Sequence, residues 1–406
     1  MKILFHHRIA SRDGQAVHME ELLAALAALG HETVLVGPPG LTQTSFGGSS
    51  RLVDRIRRIM PAAIFELLEI AYNVKAFLRL RSAVRRHKPD IIYERFSLFL
   101  FAGVWVRRLY RLPVLLEVNS PLFEERAAND GLKLHFLGRW AQRMVWNNVD
   151  CVLPVTHVLA RTVAASGVPA ARIAVIPNGV NPNRFGGAPN TEAAKRALGL
   201  KPGIVLGFAG FIRGWNAPQR IVDFIAEQGA RCDLHFLVVG DGPARAALLH
   251  HAQTSGVADR VTITGIVGRD DVARYVSAFD IALLPGLTPY SSPLKLFEYM
   301  YLRRAIVAPD TENIREVLTD GHDAALFDPE RPGGMEAALL RLCGDAGLRA
   351  RLGIEAHRTI EKKSLTWSRN AERVVELAEA VLRRRERKVD APQRRGGGEK
   401  NSKKYS

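Results

Sequence analysis

Lys295 and Glu298 stand three residues apart in Ser292-Pro-Leu-Lys-Leu-Phe-Glu-Tyr-Met300, so a helix carries both on one face. Lys295 offers an ammonium to a phosphate. Glu298 offers an acceptor-only carboxylate, suited to a vicinal diol such as a ribose. Leu294, Phe297 and Tyr301 recur at three- and four-residue spacing and predict a separate, core-facing stripe. Ser292 is expected as the N-cap and Pro293 as the first helical residue. An apolar run from Asp280 to Pro285 precedes this helix and another begins at Ala305. The order strand–loop–helix–strand aims the helix N-terminus at the carboxyl end of a parallel sheet, where open α/β sheets bind ligands. Free amides and the dipole there favour an anion. The dipole contributes only about 0.3–1 kcal/mol, or ~2 when partly buried, so a diphosphate needs added cations such as Lys295. The same spacing also fits an ordinary βα unit with a solvated Lys–Glu pair.

The elements that must position these residues are written along the whole chain. Strands are expected at Lys2–His6, 33–36, 90–93, Val114–Val118, 149–154 and 173–176, with a helix over 19–29. Polar residues mark the strand ends: Gly14 and His18 in the first βα turn, then Glu94-Arg95, Glu117-Val-Asn-Ser120 with Asn119, Thr156-His157 and Pro177-Asn-Gly-Val180. Such residues gathered at one sheet edge are what a polar-ligand cleft requires. A second series follows at 204–209, 234–239, 261–264, 280–284, 305–308 and 324–327. The expected fold is α/β, with two Rossmann-like, doubly wound domains facing across a cleft. Residues 1–182 form the first domain and 183–365 the second. A helix over 366–388 packs back on the first, and 389–406 is a disordered basic tail.

The 406 residues carry a net charge of +16, unevenly spread. Residues 51–111 hold fourteen Lys/Arg against five Asp/Glu, and residues 383–406 hold ten against three, which together account for the whole excess. Around residues 51–88, Ile56, Ile59, Ile64, Phe65, Leu67 and Leu68 alternate with Arg55, Arg57 and Arg58. That pattern suits a basic amphipathic segment lying on an anionic membrane; it also suits outer helices with arginines in water. No helix-turn-helix, zinc-finger or RNA-recognition signature is present, so nucleic acid is not expected as a partner. Three scattered cysteines, Cys151, Cys232 and Cys343, point away from disulfides and metal sites and toward a reducing cytoplasm.

Taken in order, the first-loop Gly14, Ile176-Pro-Asn-Gly-Val-Asn-Pro-Asn-Arg-Phe185, Val239-Gly-Asp-Gly-Pro243, Val261-Thr-Ile-Thr-Gly265, Ser292–Met300 and Ala305-Ile-Val-Ala308 resemble the family 4 glycosyltransferases. The resemblance runs from Met1 to about Leu382. It implies the architecture called GT-B and transfer of a sugar from a nucleotide-diphosphate-sugar donor, with retention of configuration and no metal or other cofactor. The second domain would hold the donor and the first the acceptor. By resemblance, Glu298 would hold the ribose hydroxyls, and the backbone of Gly265, Ile266 and Val267 would meet the base. Arg213 and the helix start at Ser291, Ser292, Pro293 and Leu294 would face the diphosphate, with Lys295 beside them, and Gly14 and Asn216 are the further expected donor contacts. The acceptor is expected to be lipid-linked or a saccharide, at the inner face of the cell membrane.

Three positions depart from the family pattern. Tyr290 stands where the first Glu of the Glu–seven residues–Glu motif falls, and Asn216 stands where a Lys is common. No His lies near 117–120, where many members carry one. Arg213, Lys295, Asn119 and His18 are therefore the candidates for the chemical step, with no base assigned. A catalytically silent nucleotide-sugar-binding or scaffold protein is the alternative these departures raise.

Overall fold

The computed structural model describes residues 1–9, 14–38, 60–129, 131–229 and 232–390. Arg55, Arg57, Arg58 and the end of the basic tail lie outside the described residues.

The first sheet contains β1 (Lys2–His6), β2 (Glu32–Val36), β3 (Ile91–Arg95), β4 (Val114–Val118) and β5 (Cys151–Pro154), in the order β2-β1-β3-β4-β5. All its pairings are parallel. Every residue of β3 and β4 is buried, as expected for a parallel sheet covered on both faces. Alternation sends Leu4 to one face and Ile3 and Phe5 to the other, following the two-residue period of a strand. On the Ile3–Phe5 face lie Met19, Leu22 and Leu26 of the helix Gly14–Ala28 and Trp367, Ala371 and Val374 of the last helix, Trp367–Asp390. The chain thus returns from the second sheet to complete the core of the first.

The second sheet contains β6 (Ile204–Ala209), β7 (Leu234–Val239), β8 (Val261–Ile263), β9 (Ile281–Leu283), β10 (Ala305–Pro309) and β11 (Ala325–Phe327), in the order β11-β10-β9-β6-β7-β8. It too is wholly parallel. Strand order reverses between β1 and β3 in the first sheet and between β6 and β9 in the second. The carboxyl ends at these switch points are where such sheets bind ligands.

The structure corrects several expectations. The stretch 173–176 is not a strand: it donates only from Ala174 and Ile176 to β5 (both 3.0 Å) before Pro177 interrupts the ladder. The first helix begins at Gly14 rather than at 19, so Gly14 is a helix N-terminus and not only a loop residue. The last helix continues to Asp390, and Arg385 ties it to the first domain: its Nη2 donates to both oxygens of Asp150, at 2.7 and 2.8 Å.

Candidate active site

The helix Leu294–Tyr301 opens beside the β6/β9 switch point and is fixed there from below. The hydroxyl of fully buried Tyr299 accepts a 2.7 Å hydrogen bond from Ala209 N at the end of β6. Burial holds this phenol well above its usual range. Leu296, Phe297 and Met300 are fully buried in the same core, which turns Lys295 and Glu298 toward the cleft. The Lys295 ammonium lies 3.6 Å from the centre of the Phe208 ring and beside Gly210, where an added Cβ would stand 3.1 Å from Nζ. Gly210 has φ +121°, a backbone conformation that favours glycine. Burial pushes the Lys295 ammonium down to about 7, against the opposing attraction of Glu298. Burial pushes the Glu298 carboxyl up to about 7, although Arg269 and Lys295 pull it down. In both groups burial outweighs the neighbouring opposite charges, the kind of perturbation that clusters at functional sites.

Arg213 lies on the loop after β6, its guanidinium 5.0 Å from the Phe211 ring centre and 4.8 Å from that of Trp215. Gly240-Asp-Gly-Pro243 forms the floor of this loop. Ile212 N donates to Asp241 O at 2.9 Å, and a Cβ at Gly240 would overlap the Gly210 carbonyl. Asn216, expected to contact the donor, is buried and hydrogen-bonded within the loop. Its Oδ1 accepts from Arg213 N at 2.9 Å, and its Nδ2 donates to Gly286 O at 3.5 Å. Ser292 is not the N-cap: that position falls on Pro293. Ser292 Oγ accepts from Asn178 N at 3.2 Å, while its carbonyl accepts from Asn178 Nδ2 at 2.5 Å. Ser291 O accepts from Asn313 Nδ2 at 2.7 Å.

The first domain faces this array. Gly14, at the start of its helix, lies opposite Leu294, an added Cβ standing 3.6 Å from Leu294 Cδ1. Two helix N-termini therefore meet at one place, each favouring an anion. Gly265, Ile266 and Val267 follow β8, with the Ile266 side chain exposed.

His18 and Asn119, candidates for the chemical step, converge on Glu117 at the end of β4. Glu117 Oε2 accepts from Tyr93 at 2.8 Å and pairs with His18 Nε2 at 3.0 Å, while Oε1 accepts from Arg95 and Asn119. Burial opposes ionisation of Glu117, but the charges of His18 and Arg95 and the hydrogen bonds from His18 and Asn119 outweigh it. Its carboxyl is held far below the usual carboxylate range. The network is buried, Glu117 being 2% and His18 5% exposed, and it leaves His18 Nδ1 without a hydrogen-bond partner among the described residues. It braces the cleft floor. Tyr290 crosses to the first domain, packing on its core, and its carbonyl accepts from Thr156 Oγ1 at 3.0 Å. Burial and the neighbouring Glu125 push the Tyr290 phenol up to about 12, so it remains a neutral donor.

This geometry accords with the sequence comparisons. The model for Glycosyltransferase Family 4 matches residues 12–184, and that for Glycosyl transferases group 1 matches 203–345. The chain is 28% identical to the 2-deoxystreptamine glucosyltransferase of Streptomyces kanamyceticus over 291 residues, 67% of this chain and 74% of that one. It is 30% identical to the D-inositol 3-phosphate glycosyltransferase of Actinosynnema mirum over 312 residues, 71% and 73% of the two chains. The fold matches HepE of Anabaena, solved with UDP-glucose, at a TM-score of 0.71 and 15% identity, covering 94% of this chain and all of that one. The chain belongs to the family 4 glycosyltransferases and is a GT-B glycosyltransferase.

Proposed function

We propose that the protein transfers a sugar from a nucleotide-diphosphate donor held on the second domain, with retention at the anomeric carbon. The observation that carries this reading is the pair Lys295 and Glu298, together on the helix that Tyr299 fixes at the switch point, both pushed by burial toward their neutral forms. Glu298 would accept from the ribose hydroxyls and the backbone at 265–267 would meet the base. Arg213, Lys295 and the two helix N-termini would face the diphosphate. As the glycosidic bond breaks, negative charge grows on the leaving diphosphate, and fixed cations and amides stabilise that charge most. The relative solved with UDP-glucose supports a nucleotide-sugar donor. A thermal-shift panel of nucleotide sugars tests the reading. The cognate donor at 100 times its Kd adds about 2.7 kcal/mol; a flat response across uridine, guanosine and adenosine donors would contradict it.

For the acceptor, an exposed face supports a lipid-linked substrate at an anionic membrane. Leu67, Val74, Leu78, Arg81 and Arg85 share one side of the helix Ala62–His87. Trp105, Phe136 and Trp140 are also exposed, Phe136 by 84%. Trp105 and Trp140 both pack on Phe101, at 6.3 and 5.7 Å. Apolar and aromatic residues with interspersed arginines suit a bilayer interface. Among the described residues no helix is long and apolar enough to cross a membrane, so the association would be peripheral. A second reading is a free cyclitol acceptor, favoured by the aminocyclitol and inositol phosphate in the relatives' names.

A further inference from the structure

Glu21 lies on the helix Gly14–Ala28 and is 4% exposed. Three side chains from beyond the first sheet converge on it. Asn181 Nδ2 donates to Oε2 at 2.7 Å, Arg184 Nε to Oε1 at 2.7 Å and Arg269 Nη2 to Oε1 at 2.6 Å. Arg269 also donates from Nη1 to Glu20 Oε2 at 2.6 Å and from Nη2 to Val17 O at 3.3 Å. Arg184 Nη1 reaches Asp270 Oδ1 at 2.5 Å. A carboxylate this buried is tolerable only when paired and hydrogen-bonded, so the second domain completes a site the first cannot satisfy alone. Arg269 follows directly on the loop Gly265–Gly268 and also attracts the Glu298 carboxylate. It is thus ion-paired with Glu21 of one domain and attracts Glu298 of the other.

We propose that Glu21 and Arg269 are positioning residues for sugar transfer. Their ion pair fixes the loop Gly265–Gly268, and Glu298 beside it, against the first-domain helix that begins at Gly14. Neither residue touches substrate. The inference rests on the reading that the nucleotide sits on the second domain. It follows that nucleotide affinity, supplied by that domain, is largely independent of the clamp. Turnover is not, because the donor sugar must meet an acceptor held by the other domain, and a misplacement of about 1 Å can cost on the order of a hundredfold in rate. Lysine cannot replace Arg269, since one ammonium cannot span Glu20, Glu21 and the Val17 carbonyl in the guanidinium's fork geometry.

The test uses the full chain and Glu21→Gln, Arg269→Gln, Arg269→Lys and the Glu21→Gln/Arg269→Gln double variant, each checked for native circular dichroism. Calorimetry with UDP, GDP and ADP reads nucleotide affinity, the release of nucleoside diphosphate from donor reads turnover, and X-ray scattering of the ligand-free protein reads domain separation. The expected result is a nucleotide Kd within about threefold of the parent, with turnover reduced roughly tenfold or more in each single variant, lysine included. The double variant falls no further than the worse single, as for residues acting as one unit, and the radius of gyration rises. An unchanged radius with parental turnover overturns the proposal, as do additive losses in the double variant. A fall in affinity equal to the fall in turnover also overturns it, making Arg269 a nucleotide ligand. If the parent binds none of the three nucleotides, the donor reading fails, while the scattering still decides the clamp.

Discussion

At the scale of single residues, Glu298 carries opposed demands. Its folded carboxyl is raised to about 7 by burial, so the folded state holds a proton that the unfolded state has lost between pH 4.5 and 7. Stability therefore falls as pH rises through that window. Glu298→Gln removes the loss. The variant should be more stable than the parent above pH 7 by roughly 1–3 kcal/mol, a tenfold change in proton affinity being worth about 1.4 kcal/mol, with the gain vanishing near pH 4. Chemical denaturation across pH measures it. Lys295 acts with the opposite sign above pH 7. Its depressed ammonium, about 7 in the folded state, makes stability rise with pH toward its unfolded value. Arg213→Ala and Lys295→Ala should each lower turnover more than donor affinity, because the charge they meet grows in the transition state. Steady-state kinetics that show lost affinity with intact turnover would make them binding residues only. That Lys295 and Glu298 fall on one helix was legible from local spacing. Ser292 was misread as the N-cap because the partner of its hydroxyl, Asn178, lies far away in sequence.

At the scale of elements, the helix Leu294–Tyr301 depends on one buried hydroxyl. Tyr299→Phe strands the Ala209 amide and should cost about 1–3 kcal/mol, the penalty for an unsatisfied buried donor, with Glu298 less well placed. Equilibrium unfolding and donor affinity check both parts. The strands of both sheets were legible because buried parallel strands read as apolar runs. Segment ends were not: β3 continues through Glu94 and Arg95, charged residues that are buried because His6 Nδ1 meets Glu94 at 2.5 Å and Arg95 meets Glu117. Only tertiary partners could reveal that. The first helix starts at Gly14, directly after Asp13, a residue type favoured at the N-cap, but Gly14 and the polar Gln15 interrupt the apolar period there.

At the scale of the whole molecule, the two-domain plan followed from the repeated βα pattern. The contacts across the cleft, Glu21 with Arg269 and Asn178 with Ser292, pair residues more than a hundred positions apart and leave no local signal. The exposed face predicts that flotation with anionic vesicles exceeds that with neutral ones and falls with salt, as lipid attracts each nearby Lys or Arg by about 1 kcal/mol over a Debye length of ~8 Å. Phe136→Ala/Trp140→Ala should weaken it further, and equal recovery from both lipids would leave the acceptor reading without its membrane support. The donor site is decided by donor affinity and nucleoside-diphosphate release for the parent, Glu298→Gln and Lys295→Ala against a panel of nucleotide sugars. One preferred donor is expected. Its affinity should fall by roughly tenfold or more in Glu298→Gln, as a hydrogen bond to a charged group is worth about 1.5–3 kcal/mol, and its turnover should fall in Lys295→Ala. Parental affinity and turnover in both folded variants would contradict it.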